Sequence, residues 1–350
     1  NIPGETEIIS AYAAYDCLNF VSLVIPSGVK TIGDYAFDGC TNLKEINFAE
    51  GLVSIGSGSF MGCQGLSSIS LPSSLLSVGK SAFSSCEHLR TVQMQEGLES
   101  IGSAAFQHCN MLASVEIPST VTSIGTSPFR YCPSLVSISV DPRNASYKSQ
   151  NNLLLSKDGK VLLQAPARAD ILIPEGVTSL ESYSFSYCDK LTTVRVPNGV
   201  TWIGNSTFYS CKSLTSISLP NTLSIINTIA FGACDKLSVV YVGKGEIRRV
   251  KQLYSWPATV KFVELNVPEI CEDPDARMSG DAESGFVIRS SGNIETVDVR
   301  MPSDIDPQKV TVEVSPKVVT VKPNGAKVKV VVGENDISDY LVIPESDGVM

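Results

Sequence analysis

The chain has 350 residues, 43% hydrophobic and 18% charged, with a formal net charge of −9. Residues 266–350 hold 16 acids against 8 bases, so nearly all of that charge lies there and the stretch 1–265 is close to neutral. Neither part offers the basic stripe that nucleic-acid backbones or anionic membranes require, and no apolar run reaches the roughly 18 residues of a membrane-spanning helix.

The chain opens in mid-period: Ile2-Pro3 lies one period before its counterpart Ile25-Pro26. Asn1-Ile2-Pro3-Gly4 lacks the basic-then-apolar pattern of a signal peptide, which says little about secretion because such a segment is removed on export. From there a ladder of cysteines sets the repeat. Cys17, Cys40, Cys63, Cys86, Cys109 and Cys132 follow one another with a 23-residue period, and Cys188, Cys211 and Cys234 resume that spacing. Phenylalanine precedes most of them by three residues (Phe37, Phe60, Phe83, Phe106, Phe129, Phe185, Phe208, Phe231) and leucine follows by three (Leu43, Leu66, Leu89, Leu112, Leu135, Leu191, Leu214, Leu237). The first coil is degenerate, with Ala14 and Phe20 in those two slots.

After each leucine an alternating pair predicts a short strand with one buried face: Ile46/Phe48, Ile69/Leu71, Val92/Met94, Val115/Ile117, Ile138/Val140. Proline then ends the strand at Pro72, Pro118, Pro197 and Pro220. An Ile-Gly or Val-Gly step follows (Gly33, Gly56, Gly79, Gly102, Gly125, Gly204), implying either a left-handed turn or a close backbone approach. Each coil therefore reads as strand, turn, short second strand, then a compact turn carrying Phe and Cys. Such a period predicts a solenoid.

The step from Phe129 to Phe185 is longer than two periods and is not a multiple of one. Within that variant coil, about 141–173, residues 152–156 and 161–164 flank Lys157-Asp158-Gly159-Lys160, and Asp-Gly between apolar runs is a hairpin signal. The hairpin is expected to replace the Phe-Cys half of the coil, with Ile171/Ile173 resuming the long strand. About residues 244–265 read as a capping coil, with Tyr254 in the Phe slot and Pro257 in the Cys slot. The solenoid thus covers 1–265. Residues 266–285, rich in acids, Pro, Gly and Ser, read as a linker. Residues 286–350 carry six candidate strands: Phe286–Arg289, Thr296–Met301, Val310–Val314, Val318–Lys322, Lys327–Val332 and Tyr340–Ile343. With Asn324-Gly325 as a hairpin turn they suggest a small antiparallel β-sandwich, immunoglobulin-like in kind though without the Cys…Trp…Cys spacing.

The unit Phe60-Met-Gly-Cys63-Gln-Gly-Leu66-Ser-Ser-Ile69-Ser-Leu71-Pro72-Ser-Ser-Leu75-Leu-Ser-Val78-Gly79 resembles the leucine-rich repeat of BspA-like bacterial surface proteins. The resemblance spans about three quarters of the chain. It implies a secreted or cell-surface protein that binds a protein or glycan partner.

The cysteines read as packing. Nine of the ten occupy one slot, and equivalent residues on stacked coils lie about 4.7–4.9 Å apart with parallel side chains, which suits a disulfide poorly. No Cys-x-x-Cys pair supports a metal site. Cys271, outside the ladder beside Glu272 and Asp273, has surroundings that disfavour a thiolate. His88 and His108 sit at different offsets in their coils, and no nucleophile slot accompanies them. No enzyme motif is present, no cofactor is implied and catalysis is the remote alternative. The sequons at Asn144 and Asn205 carry no meaning in a bacterial protein.

Solenoids present extended surfaces to partners. The outward positions of the long strands are mostly Ser and Thr, which also suits a merely solubilising face. Variation concentrates at Thr91, Gln93, Gln95 and Glu116, and again at Arg195 and Tyr241, the last two being residue types that favour hot spots. These six are the candidate binding residues. The alternative is a structural spacer or stalk with no specific ligand.

Overall fold

The computed structural model describes residues 2–169 and 171–264 with their side chains, and beyond them the backbone of strands as far as Asp336. The first compact unit comprises residues 1–240 and 251–261; the second comprises 241–250 and 262–350. The first is a β-solenoid of about 11 turns with a 23-residue period.

Each regular coil carries a long strand and a two-residue strand. Long strands include Ser22–Ile25, Glu45–Phe48, Ser68–Ser70, Thr91–Gln93, Ser114–Ile117 and Ser137–Val140. Short ones include Thr31–Ile32, Ser54–Ile55, Ser77–Val78, Ser100–Ile101 and Ser123–Ile124. The short strands pair in parallel coil after coil, Ile32 opposite Ile55, while these long strands pair in parallel two by two, Leu23 opposite Ile46. The alternation sorts side chains as expected, with Leu23 and Ile25 buried and Ser22 and Val24 exposed. One coil cannot cover its own apolar side, so the core exists only between neighbours.

That core is a set of parallel columns. The rings of Phe37, Phe60, Phe83, Phe106 and Phe129 stack with centroids 5.2–5.7 Å apart and planes within 16°. A second stack runs through Phe185, Phe208 and Phe231. Leucines of the next slot are buried throughout, from Leu43 to Leu237. Each coil also uses two left-handed residues four apart, such as Ser81 and Ser85 or Ala104 and His108. A non-glycine residue there costs about 1–2 kcal/mol. The offset comes from turn N–H groups that donate to the next coil, as Ser81, Phe83 and Ser85 do to the carbonyls of Ser103, Ala105 and Gln107 at 2.7–2.9 Å.

The Ile-Gly step proves to be the close approach. Gly102 is not left-handed, and a Cβ on it would lie 2.4 Å from the carbonyl carbon of Gly79, one coil back. Gly79 stands in the same relation to Gly56, at 2.6 Å. At Gly79 and Gly102 the coils touch backbone to backbone, and a Cβ there would force a shift; Asn227 takes the same slot one coil after Gly204.

The variant coil contains the expected hairpin, Leu153–Ser156 antiparallel to Val161–Gln164, with Gly159 left-handed in the turn. A third strand, Tyr147–Gln150, precedes it and pairs antiparallel with Leu153–Ser156. Two expectations change. Val161 and Leu162 pair in parallel with Ser179 and Leu180, so the hairpin supplies the short-strand rung. The place of the Phe-Cys turn is taken by Ala165-Pro166-Ala167, and Cys188 donates to the Pro166 carbonyl at 3.5 Å. Residues 171–173 form no strand, because Asn151 Nδ2 takes the Leu172 carbonyl at 3.0 Å; Ile173 nevertheless fills its core slot.

At the other end Tyr254 and Trp256 cover Phe231, with ring centroids 5.5 and 5.0 Å away. The expected capping coil also holds a helix, Ile247–Leu253, that the sequence reading did not include.

The second unit differs from expectation in topology. Residues read as linker contain strands Glu269–Cys271 and Ala276–Asp281, the first antiparallel to Thr296–Arg300 and the second to Gly285–Ser290. From Gly285 to Val332 consecutive strands alternate between a five-stranded and a three-stranded sheet with parallel pairing, and Lys329–Val332 then pairs antiparallel with Asn335–Asp336. Val318–Lys322 and Lys329–Val332 lie in different sheets and form no hairpin. The candidate turn Asn324-Gly325 and the candidate strand at 340–343 lie outside the described residues.

Candidate recognition surface

Thr91 and Gln93 stand exposed on the strand Thr91–Gln93, Gln95 is exposed just beyond it, and Glu116 is exposed on the next coil in the slot of Gln93. Inward-facing Val92 and Val115 are buried beneath them. The four polar side chains therefore sit together on a platform whose backbone is fixed by the stacked coils. At the end of these strands Glu96 accepts Ser119 Oγ at 2.8 Å and pairs with Arg143 at 2.9 Å; Arg143 also pairs with Asp141. The Arg143 bond holds the Asp141 carboxyl down to about 2. These groups are exposed, so the network organises the edge more than it stabilises the fold.

Arg195 is not brought to this cluster. Three strand slots separate it from Glu116, about 14 Å at the usual strand spacing. It is half-buried, and its guanidinium pairs with Glu175 at 3.2 Å. The hairpin also occupies the face between them: Ser137 Oγ donates to Asn152 Oδ1 at 2.9 Å, and Val140 N donates to Ser149 Oγ at 3.1 Å. Tyr241 is half-buried and belongs to the second unit.

Seven of the ladder cysteines are buried, Cys17 and Cys234 are half-buried, and all nine are free thiols. The thiols also have a polar role that spacing does not reveal. Cys63, Cys86, Cys109 and Cys132 donate to the Phe carbonyl 26 residues earlier at 3.2–3.3 Å. Burial pushes Cys86, Cys132 and Cys188 up to about 12. Thiolate is the reactive form, so these three buried thiols are inert at neutral pH. A thiol reagent is expected to label at most Cys17, Cys234 and Cys271 in the native chain and all ten in denaturant. The raised values also set a sign. Their contribution to stability is complete below pH 9 and falls between pH 9 and about 12, where unfolded thiols ionise and buried ones do not. Rapid labelling of four or more native thiols would contradict this.

Among the described residues no group of three or more His, Cys, Asp or Glu is placed to hold a metal ion. His88 Nδ1 lies 2.7 Å from the Gln64 carbonyl at the surface. Burial, then the Arg130 charge, holds His108 below its ordinary 6.5. No described helix is long and apolar enough to cross a membrane.

Two features escaped the sequence reading. Asn144, which the sequence marks only as part of a sequon, is a fully buried clamp. The turn edge around Arg130 collects tyrosines, at positions that the strand alternation does not signal.

The architecture defines a class: a parallel β-solenoid of leucine-rich repeats with a free-thiol core ladder. The chain belongs to the BspA-type leucine-rich repeat family, whose repeat region matches residues 7–136 and 167–256 in six copies. The gap between the two stretches contains the hairpin of the variant coil. No curated protein matches the sequence. Among solved structures, a leucine-rich cell surface protein from Faecalibacterium prausnitzii is similar at 23% identity and a TM-score of 0.51, covering 73% of this chain and 90% of that one. The pneumococcal vaccine antigen PcpA is similar at 21% identity and a TM-score of 0.59, covering 89% and 79%. These likenesses establish the fold.

Proposed function

We propose that this chain is the recognition part of a secreted or cell-surface bacterial protein. It binds a protein or glycan partner through the long-strand face, without catalysis and without a cofactor. The observation that carries this reading is the group Thr91, Gln93, Gln95 and Glu116, exposed on two neighbouring coils, Thr91–Gln93 paired with Ser68–Ser70 and Ser114–Ile117 with Ser137–Val140. Pre-ordered side chains lose little entropy on binding. The F. prausnitzii relative is described as a cell surface protein, which agrees with the compartment proposed. Arg195 and Tyr241 belong to a separate and weaker part of the proposal, Arg195 because Glu175 already engages it. The strands between Gly285 and Asp336 belong, in this reading, to a two-sheet β module that spaces or docks the solenoid.

The test is an array of extracellular host proteins and glycans, followed by alanine at Thr91, Gln93, Gln95 and Glu116 together. We expect a partner to bind and the quadruple variant to lose about tenfold or more in affinity with an unchanged melting temperature. Unchanged affinity would remove the strand face as the site. Absence of any partner would favour a spacer.

A further inference from the structure

The turn edge of the solenoid is plain over residues 58–62 and 81–85, where it shows mainly glycine, serine and Met61. It changes character at the coil of His108. From there it presents His108, Arg130, Tyr131, Tyr183, Tyr187 and Tyr209, all partly exposed. The hairpin coil sends no Phe-Cys turn to this edge, so the turns on either side of it meet. Ser127 Oγ donates to the Ser182 carbonyl at 3.3 Å, and the Tyr131 ring stands edge-on to Tyr187 with centroids 4.5 Å apart. Tyr187 and Tyr209 continue the row at 5.7 Å, and His108 lies 4.2 Å from Tyr131 on the other side.

The rings are held rigidly. Tyr131, Tyr183 and Tyr187 are left-handed, with φ between 57° and 63°. The N–H groups of Tyr183 and Tyr187 are donated to Asn205 and Tyr209 of the next coil at 3.0 and 2.9 Å. The Arg130 guanidinium lies over the rings of Tyr183 and Tyr187, 4.5 and 5.2 Å from their centroids. Its Nε is buried without a hydrogen-bond partner. Arg143, Arg195 and Arg249 each pair with a carboxylate, whereas no such pair holds Arg130 among the described residues. One guanidinium nitrogen is thus out of water without a counter-anion while the rest of the group stays at the surface, and ring faces supply only part of the compensation.

We propose that this edge binds an acidic saccharide: a pyranose bearing a carboxylate, such as a uronic or sialic acid. The carboxylate meets the planar fork of Arg130, which suits two parallel hydrogen bonds. The apolar C–H face of the sugar packs on the tyrosine rings, whose hydroxyls remain available to its own. A saccharide fits better than an acidic peptide because the turn N–H groups are already donated to the next coil, which removes the free strand edge that peptide addition uses. The site lies on the compact turns, apart from the long-strand face, so it stands or falls independently of the function proposed above.

The experiment titrates the full chain with sialyllactose and with trigalacturonic acid. Lactose and maltotriose are the neutral counterparts, and a hexaglutamate peptide is the acidic control. We expect at least one acidic sugar to bind, and the neutral sugars and the peptide to bind at least about tenfold more weakly. Arg130→Gln is expected to lose about tenfold or more, as is Tyr187→Ala, while Tyr187→Phe keeps most of the affinity. If Tyr187→Ala lowers the melting temperature, Tyr209→Ala carries the ring test. The quadruple strand-face variant is expected to bind these sugars normally. No binding of either acidic sugar overturns the proposal, as does full binding by Arg130→Gln. Equal binding of hexaglutamate replaces the saccharide with an acidic peptide.

Discussion

Phe83→Ala is expected to lower stability by about 4 kcal/mol, in the range for emptying a phenylalanine site in a rigid core. Phe83 is fully buried, and it is sandwiched between Phe60 and Phe106 at centroid distances of 5.3 and 5.5 Å with planes within 5°. Neither neighbouring ring can move into the vacancy, because each is held at its own backbone N–H by the next coil: Phe60 N to Ala82 O and Phe106 N to Pro128 O, both at 2.8 Å. The cavity therefore stays open. Phe37→Ala is expected to cost less, about 3 kcal/mol, because its column neighbour on one side is Ala14 and the nearest ring there, Phe20, meets it only edge-on at 6.2 Å. Urea denaturation of both variants measures this. A Phe83 loss below that of Phe37 would contradict the continuous-stack view.

Asn144→Ala is expected to cost a similar amount by a different route. The side chain is fully buried and every hydrogen-bonding capacity is used. Nδ2 donates to Pro118 O at 2.8 Å and Val121 O at 2.9 Å, while Oδ1 accepts from Ser146 N and Tyr147 N, both at 2.8 Å. Alanine would leave the Val121 carbonyl and the half-buried Ser146 and Tyr147 N–H groups without partners, and the Pro118 carbonyl with only the Val121 N–H at 3.4 Å. At about 1–3 kcal/mol for each unmade bond, with some regained by water entry, the sum is about 4 kcal/mol. The damage also spreads to the hairpin, because Tyr147 is the first residue of its leading strand and its hydroxyl accepts the Ile124 N–H at 2.9 Å. Amide exchange should accelerate first at Ser146 and Tyr147. A loss under about 1 kcal/mol would mean that solvent already reaches the clamp.

The solenoid was legible because its physics is one-dimensional. Every buried slot of one coil faces the same slot of the next, so Phe, Cys, Leu and Gly each recur at a single interval. Features that break the interval were less legible. Tyr147–Gln150 was missed because all four residues are half-buried and show no alternation. Its turn, Asn151-Asn152, is left-handed at both positions, a two-residue hairpin signal as real as Asp-Gly. Arg195 read as available because Glu175 lies 20 residues upstream, an offset that the repeat does not announce. The turn edge was overlooked for a related reason. Left-handed positions are usually flagged by glycine, and here tyrosine, serine and histidine occupy them.

The backbone contact at Gly56, Gly79 and Gly102 has a consequence for how such a chain changes over generations. Because each regular joint repeats the same backbone contacts, gain or loss of one repeat unit between them leaves the Phe, Cys and Leu columns, the backbone hydrogen bonds between coils and the glycine contact in place. The variant coil is different. Its neighbours are joined through Pro166, Asn144 and the meeting turns of Ser127 and Ser182, none of which a regular unit could supply. Length can therefore drift freely on either side of it, while the coil itself behaves as a fixed landmark from which both arms are counted.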